Sequence, residues 1–488
     1  MNPATRGYLL LIATALIGIA VVLRLGTGLP ERPREIGPAS STPISKSLMR
    51  AASGPSAQEQ PSAHDGSATD ALARLLLQLV VIIGVSYLVG WLFGYLGQPA
   101  VVGEMMAGIF LGPSLFGWLA PGAFQLVFAP DSLEPLRLLS QIGVCLFMFA
   151  VGMEFDLSQI RERVDRVLVI GHGSIAIPFL LGVTLALPLY RQYAHTGASF
   201  SAFALFMGIS MSITAFPVLV RILRDRDLFQ TALGKMATMC AALGDATAWC
   251  ILAFVIAIAG AASVAGALVR TGFALVYGGF MLFVMRPLLA RLLRPWVEKD
   301  VDPEQPALVL VSAILLASAF VTERIGLHAL FGAFLAGIIM PAGGGFREKL
   351  ALRVEQFSSV LLLPTFFAFI GLRTEATMLT NGFDWLVCAG IVLVATLGKM
   401  GGTAIIGRSF GQSWREALAL GALMNTRGLM ELIALNIGLE MGILSLRIFT
   451  MLVLMAIATT VLTGPLVQWL VRTSPLPVDS GLRPKFSG

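Results

Sequence analysis

Apolar residues in this chain run in blocks of about twenty, and polar residues collect in the short gaps between them. Blocks of that length cross hydrocarbon as helices, because a lipid-embedded backbone must satisfy its own hydrogen bonds. From Leu72 onward the pattern predicts thirteen spans, at 72–96, 99–118, 133–153, 166–189, 199–222, 231–259, 264–285, 306–323, 327–341, 353–372, 384–407, 415–438 and 443–471. An earlier apolar run, Tyr8 to Leu23, follows Arg6 and has no small-x-small cleavage site close behind it. It reads as an uncleaved anchor or signal helix within residues 1–29. Residues 30–71 are rich in Pro, Ser, Ala and Gly and read as a disordered linker. Residues 473–488 form a short tail.

The gaps orient the spans. With the N-terminus of residues 72–472 outside, nineteen Lys and Arg fall on the inside and five on the outside (Arg137, Arg191, Arg324, Arg373 and Arg447). That asymmetry is the positive-inside pattern and puts the C-terminus in the cytoplasm.

An internal repeat is written in the small residues. Gly97, Gly103, Ala107, Gly108 and Ile109 of the second span recur as Gly326, Gly332, Ala336, Gly337 and Ile338 of the ninth, at one offset of 229 positions (326 − 97). Phe147 to Gly152 matches Phe366 to Gly371, and Gly208 to Thr214 matches Gly421 to Arg427. Each pair lies seven spans apart, an odd number, so the halves 72–260 and 306–472 are expected to be inverted. Inverted repeats are the architecture of secondary transporters, with a site at mid-membrane.

Composition agrees. The chain is 56% hydrophobic and 13% charged, with mean hydropathy +0.83; a soluble domain carries about 25% charged residues. A net charge of +6 here sets topology and does not point to nucleic acid. Cys145, Cys240, Cys250 and Cys388 lie in apolar segments without metal-ligand spacing and read as small buried hydrophobes. No Gly-rich ATP loop and no His-Glu-x-x-His motif occurs. Nothing calls for a cofactor or an enzyme.

Against this background Asp245 stands out, the only acid in the apolar run from Ala232 to Gly260. A charged Asp at the bilayer centre costs roughly 2.5–3.5 kcal/mol on insertion scales. A carboxylate taken out of water holds a proton or a cation, but not both together, and that competition suffices for exchange. The fifth span carries Ser210, Ser212 and Thr214 before Pro217, and the twelfth carries Asn425-Thr426-Arg427-Gly428. Matched interruptions in two halves point to a midplane site. Lys399 in the eleventh span is a candidate partner of Asp245. Arg427 and Glu431, at i and i+4, are placed to neutralise each other. Glu104 and Glu323 read as solvated span edges, His172 and His328 as polar packing.

Several of these residues form a known pattern. Gly103-Glu104-x-x-Ala107-Gly108-x-x-Leu111-Gly112-Pro113, Thr214-Ala-x-Pro217, Gly244-Asp245-x-x-x-Trp249, Lys399 and Asn425-Thr-Arg-Gly-Leu-Met-Glu-Leu432 resemble the monovalent cation:proton antiporter 2 family. That family includes the Kef-type and plant cation/proton exchanger-like sodium/hydrogen exchangers. The resemblance covers about residues 72–472. It implies an inverted-repeat antiporter fold and a homodimer with a dimerisation domain and a six-helix core domain. Two broken helices would cross there beside the ion-binding Asp, here Asp245. Thr214 would belong to the first broken helix and Arg427 to the second, and Lys399 would be the core-domain Lys. Gly244 departs from the pattern, since many members carry Asp, Asn or Gln at that place.

The sequence therefore predicts an all-α polytopic membrane protein of about thirteen core helices plus an N-terminal anchor. Its expected activity is exchange of Na+ or K+ for protons at Asp245, Thr214 and Ser212, with Lys399, Arg427 and Glu431 as charge partners. The competing readings are a cation channel without proton coupling and a non-transporting membrane sensor. The expected location is the cell membrane, of a bacterial inner-membrane type.

Overall fold

The structure, a computed structural model, describes residues 3–29, 68–154, 164–259, 264–298, 305–341, 343 and 345–472. Linker residues 30–67, the tail 473–488 and the loop cations Arg161, Arg163 and Lys299 lie outside them.

The apolar blocks are helices. They are α1 (Pro3–Gly26), α2 (Ala68–Tyr95), α3 (Ala100–Leu111), α4 (Leu133–Glu154), α5 (Val164–Tyr193), α6 (Phe200–Ser212), α7 (Phe216–Asp225) and α8 (Ala232–Ala259). Then come α9 (Val264–Phe280), α10 (Gln305–Ile325), α11 (Ala329–Ile338), α12 (Phe346–Phe357), α13 (Leu363–Arg373) and α14 (Gly382–Thr396). The last four are α15 (Gly402–Ser409), α16 (Trp414–Met424), α17 (Leu429–Glu440) and α18 (Leu446–Arg472). Single π-helical turns join α12 to α13 (Ser358–Leu362) and α14 to α15 (Leu397–Gly401).

Among the described residues twelve helical segments are long and apolar enough to cross a membrane, and the bent pair α16/α17 makes thirteen. The remaining expected span is α11, whose ten residues cover about 15 Å. It falls short because Gly326 and His328 take positive φ values (87° and 81°) and use up its beginning in a turn. The first repeat is shortened in the same place, where α3 has twelve residues. Residues 68–71, expected in the linker, belong to α2.

The helices sort into two groups. Group one holds α2, α3, α4, α10, α11, α12 and α13; group two holds α5 to α8 and α14 to α18, with α1 packed on α5 and α6. α9 touches both, through α8 and α10. The repeat is visible in the packing of group one. A Cβ on Gly103 would lie 2.7 Å from the Val89 carbonyl oxygen, and one on Gly332 would lie 2.1 Å from that of Ser318. Val89 and Ser318 are themselves 229 residues apart (318 − 89), so the two helix pairs share one register. Gly108 lies against the Phe367 carbonyl and Gly337 against that of Phe149, at 2.1 and 2.2 Å from a Cβ built on each. Small residues let helix backbones touch where no solvent drives packing.

Candidate functional site

Group two is built around two interrupted helices. In the first, α6 stops at Ser212 and α7 starts at Phe216. Pro217 explains the stop: its ring removes a donor and clashes with the carbonyl four residues back, at Ile213, which is extended (φ −63°, ψ 138°). In the second, Asn425 to Gly428 separate α16 from α17, which meet at a bend of 48°. The two breaks cross. The Ala215 N–H donates to the Thr426 carbonyl (3.0 Å), and the Thr214 hydroxyl donates to the Met424 carbonyl (3.1 Å). Gly428 sits where a Cβ would lie 2.8 Å from Val218 Cγ2 and 3.2 Å from Ala215 Cβ, so a larger residue would push the strands of the crossing apart.

The broken end of α6 leaves carbonyls with no helical partner. Two buried cations take them. Arg427, wholly buried, donates to the carbonyls of Ser210 (2.5 Å) and Met211 (2.8 Å) and to Glu431 Oε2 (3.0 Å). Lys399, also wholly buried, donates to the Ser212 carbonyl and to that of Ser174 (3.3 Å). Cations at a helix C-terminus oppose its negative dipole end. Lys399 is presented by the π turn between α14 and α15, a feature common at functional sites.

Asp245 lies on α8, 4% exposed. With Ile213, Ala248, Trp249, Leu252 and Met430 it lines one small crevice at the crossing. Its carboxylate thus stands beside the unwound peptide of the first break and the first turn of α17, whose positive dipole end favours an anion. Trp249 closes one wall, its ring edge-on to Phe331 (5.3 Å) and stacked near Phe334 (6.1 Å) of α11.

The predicted residues are therefore brought together, with their parts redistributed. Lys399 is within electrostatic reach of Asp245, and its ammonium donates to two main-chain oxygens. Ser212 contributes its carbonyl; its hydroxyl donates back to Gly208 (2.6 Å). The Arg427–Glu431 pair exists, and it also bridges the two broken helices. His172 packs between the Leu168 carbonyl (2.9 Å) and Thr247 (3.3 Å). Glu323 accepts from the Ala329 N–H (2.7 Å) and caps α11. Cys240 and Cys388 are buried as expected, but Cys250 is exposed, because it falls on the outward face of α8.

Three partners escaped the sequence reading. Thr460 accepts from the Arg427 N–H (3.0 Å) and donates to its carbonyl (2.8 Å). The cluster Thr459, Thr460 and Thr463 inside an apolar span was the available signal. Asp384, at the start of α14, is 1% exposed and accepts from the Tyr193 hydroxyl (2.7 Å). Arg373, counted above as a loop cation, is 3% exposed. Its correction is geometric: α13 carries it to the seam between the groups, where Asn436 and Glu440 meet it.

Gly244, the departure from the family pattern, has space around it. A Cβ there would meet only Ile175 Cδ1, at 3.8 Å. Gly244→Ala is expected to raise unfolding stability by about 0.5–1 kcal/mol, the cost of a mid-helix Gly. Thermal unfolding of the detergent-solubilised protein checks this, and a lower midpoint than wild type contradicts the open space.

Comparison with known proteins bears on the family and on the fold. A family model for the transmembrane sodium/hydrogen exchanger matches residues 67–473. The chain is 42% identical over 411 residues to Na(+)/H(+) antiporter NhaS4 of Synechocystis sp., covering 84% of this chain and 99% of that one. It is 34% identical to K(+)/H(+) antiporter 1 of Saccharomyces cerevisiae, covering 81% of this chain and 46% of the other. It likewise spans half of Cation/H(+) antiporter 19 of Arabidopsis thaliana, at 38% identity over 82% of this chain. The solved structure of the sodium proton antiporter MjNhaP1 from Methanocaldococcus jannaschii superposes with a TM-score of 0.55 at 18% identity, over 82% of this chain and 97% of that one; the likeness is one of fold.

Proposed function

The chain belongs to the sodium/hydrogen exchanger family, and on that premise we propose that it exchanges Na+ or K+ for protons at Asp245. The observation that carries this reading is the position of one buried carboxylate at the crossing of two broken helices. A charged carboxylate in a membrane span is costly, and binding a proton or a cation offsets that cost. The two ligands exclude each other, and each can leave only when the other replaces it or on the opposite side. On this reading oxygens of the break, among them those of Thr214 and of the Ile213 peptide, replace part of a cation's water. Lys399 and Arg427 fix the broken end of α6, so the oxygens beside Asp245 are held before the ion arrives. Group two, which carries all these residues, moves as a body against group one.

The protein is read as a homodimer in the cell membrane, bacterial in type, anchored in addition by α1, with its C-terminus cytoplasmic. The excess of cations on one side supports the orientation, and the family resemblance supports the dimer.

The test is proton movement in proteoliposomes driven separately by Na+, K+ and Li+, for wild type and Asp245→Asn. Wild type is expected to move protons with Na+ or K+, and the variant, folded and monodisperse, with none. Cation flux without proton movement gives the channel reading instead. An active Asp245→Asn protein removes Asp245 from the mechanism.

A further inference from the structure

Arg373 joins the two groups by a charged contact. It is the last residue of α13, in group one, and is buried. Its Nη1 donates to Asn436 Oδ1 at 2.7 Å and to Glu440 Oε1 at 3.3 Å, both on α17 in group two. Its guanidinium also covers the face of Phe369, 4.3 Å from the ring centre. Two residues on, the Glu375 N–H donates to the Thr450 hydroxyl of α18 (3.3 Å), a second bond across the same seam. Arg137, paired with Glu134 at 2.6 Å, stands within electrostatic reach of both Glu440 and Arg373. Beneath these residues lies a cavity of about 20 Å³, room for one water. Ser140, Gln141 and His328 line it from group one, Ile433 and Asn436 from group two.

We propose that Arg373, Asn436 and Glu440 form a latch that holds the two groups together at this end and opens once in every transport cycle. The proposal rests on the alternating movement inferred above. A buried ion pair is weak evidence for stability, since well-packed apolar residues often serve better. An arginine in a membrane span marks function more often than packing. Here the arginine belongs to one group and its acceptors to the other. A slide of group two by even one helical residue, about 1.5 Å, takes them out of hydrogen-bond range. Arg373 is then a positioning residue: it touches no cargo, and it sets how often the cavity, and Asp245 beyond it, opens to this side.

The experiment uses the full chain with its four cysteines replaced and a single Ser140→Cys placed in the cavity wall. The readout is the rate at which a charged, membrane-impermeant thiol reagent labels this cysteine from the Arg373 end. Arg373→Gln and, separately, the milder Glu440→Gln are each expected to speed labelling at least about tenfold, the weight of one charged hydrogen bond. Arg373→Glu combined with Glu440→Arg is expected to slow it again, which mere loosening of the fold would not do. Equal labelling rates in all four proteins overturn the latch while leaving exchange at Asp245 standing, provided the background still moves protons. A background that exchanges nothing in the proteoliposome assay removes the antiport reading, and the latch falls with it.

Discussion

Arg427→Met is expected to unfold the crossing and end transport. The side chain is fully enclosed and holds three acceptors at once: two carbonyls at the end of α6 and one Glu431 oxygen. Methionine fills a similar volume but leaves Glu431 charged, buried and without its cation. Removing one member of a buried pair costs roughly 3–5 kcal/mol, a large share of the stability of any domain. Denaturation of the solubilised protein measures that loss. Adding Glu431→Gln to the methionine variant is expected to recover part of the stability, because no charge is then stranded. Transport is expected to stay absent in both, since the carbonyls of Ser210 and Met211 have lost the group that fixes them. A single variant as stable as wild type would falsify this account of the pair.

The second large effect is expected at Gly371. A Cβ there would lie 1.8 Å from the Gly108 carbonyl oxygen, and one on Gly112 would lie 2.2 Å from the oxygen of Gly371 itself. The obstacles are backbone atoms, which cannot turn aside as a side chain does. Gly371→Ala must therefore drive α3 and α13 apart by more than an ångström. Overpacking costs about 1–3 kcal/mol where side chains can shift, and more is expected here. Because Arg373 is only two residues further along, the same displacement carries the guanidinium away from Asn436. Gly152→Ala, at the matching place in the other half of the repeat, should behave alike, its Cβ meeting the Phe334 carbonyl oxygen. Gly84→Ala, with nothing within 4 Å of the added carbon, is the neutral comparison. Melting temperatures of the three variants decide the matter: if Gly371→Ala melts with Gly84→Ala, close backbone contact does not hold group one together.

What could be read in advance follows the physics of the bilayer. A span announces itself because hydrocarbon forbids polar residues over some twenty positions, so the borders of α4 and α8 were legible within a few residues. Asp245 was legible for the same reason, as an exception to that ban. The interruptions were legible because Pro217 and Gly428 are chemically unlike their surroundings. Arg373 was not. Beside Thr374 and Glu375 it has the composition of a loop edge, and its acceptors lie 63 and 67 residues away on α17. Nor did the sequence tell that Lys399 and Arg427 would end on main-chain oxygens, since every residue carries one.

The N-terminal helix has its own consequence. Among the described residues α1 packs chiefly on α5 and α6, with only 11% of its apolar stretch buried, and the close contacts are Gly18 against Leu180 and Gly26 against Phe200. Both partners belong to group two. When that group moves, α1 moves with it, as a rod with most of its length in lipid. Each cycle then has to displace acyl chains along that rod, and the viscosity of the surrounding bilayer becomes a brake on turnover. Membrane fluidity, and with it growth temperature and lipid saturation, enters the rate of this transporter through a helix that never approaches the ion.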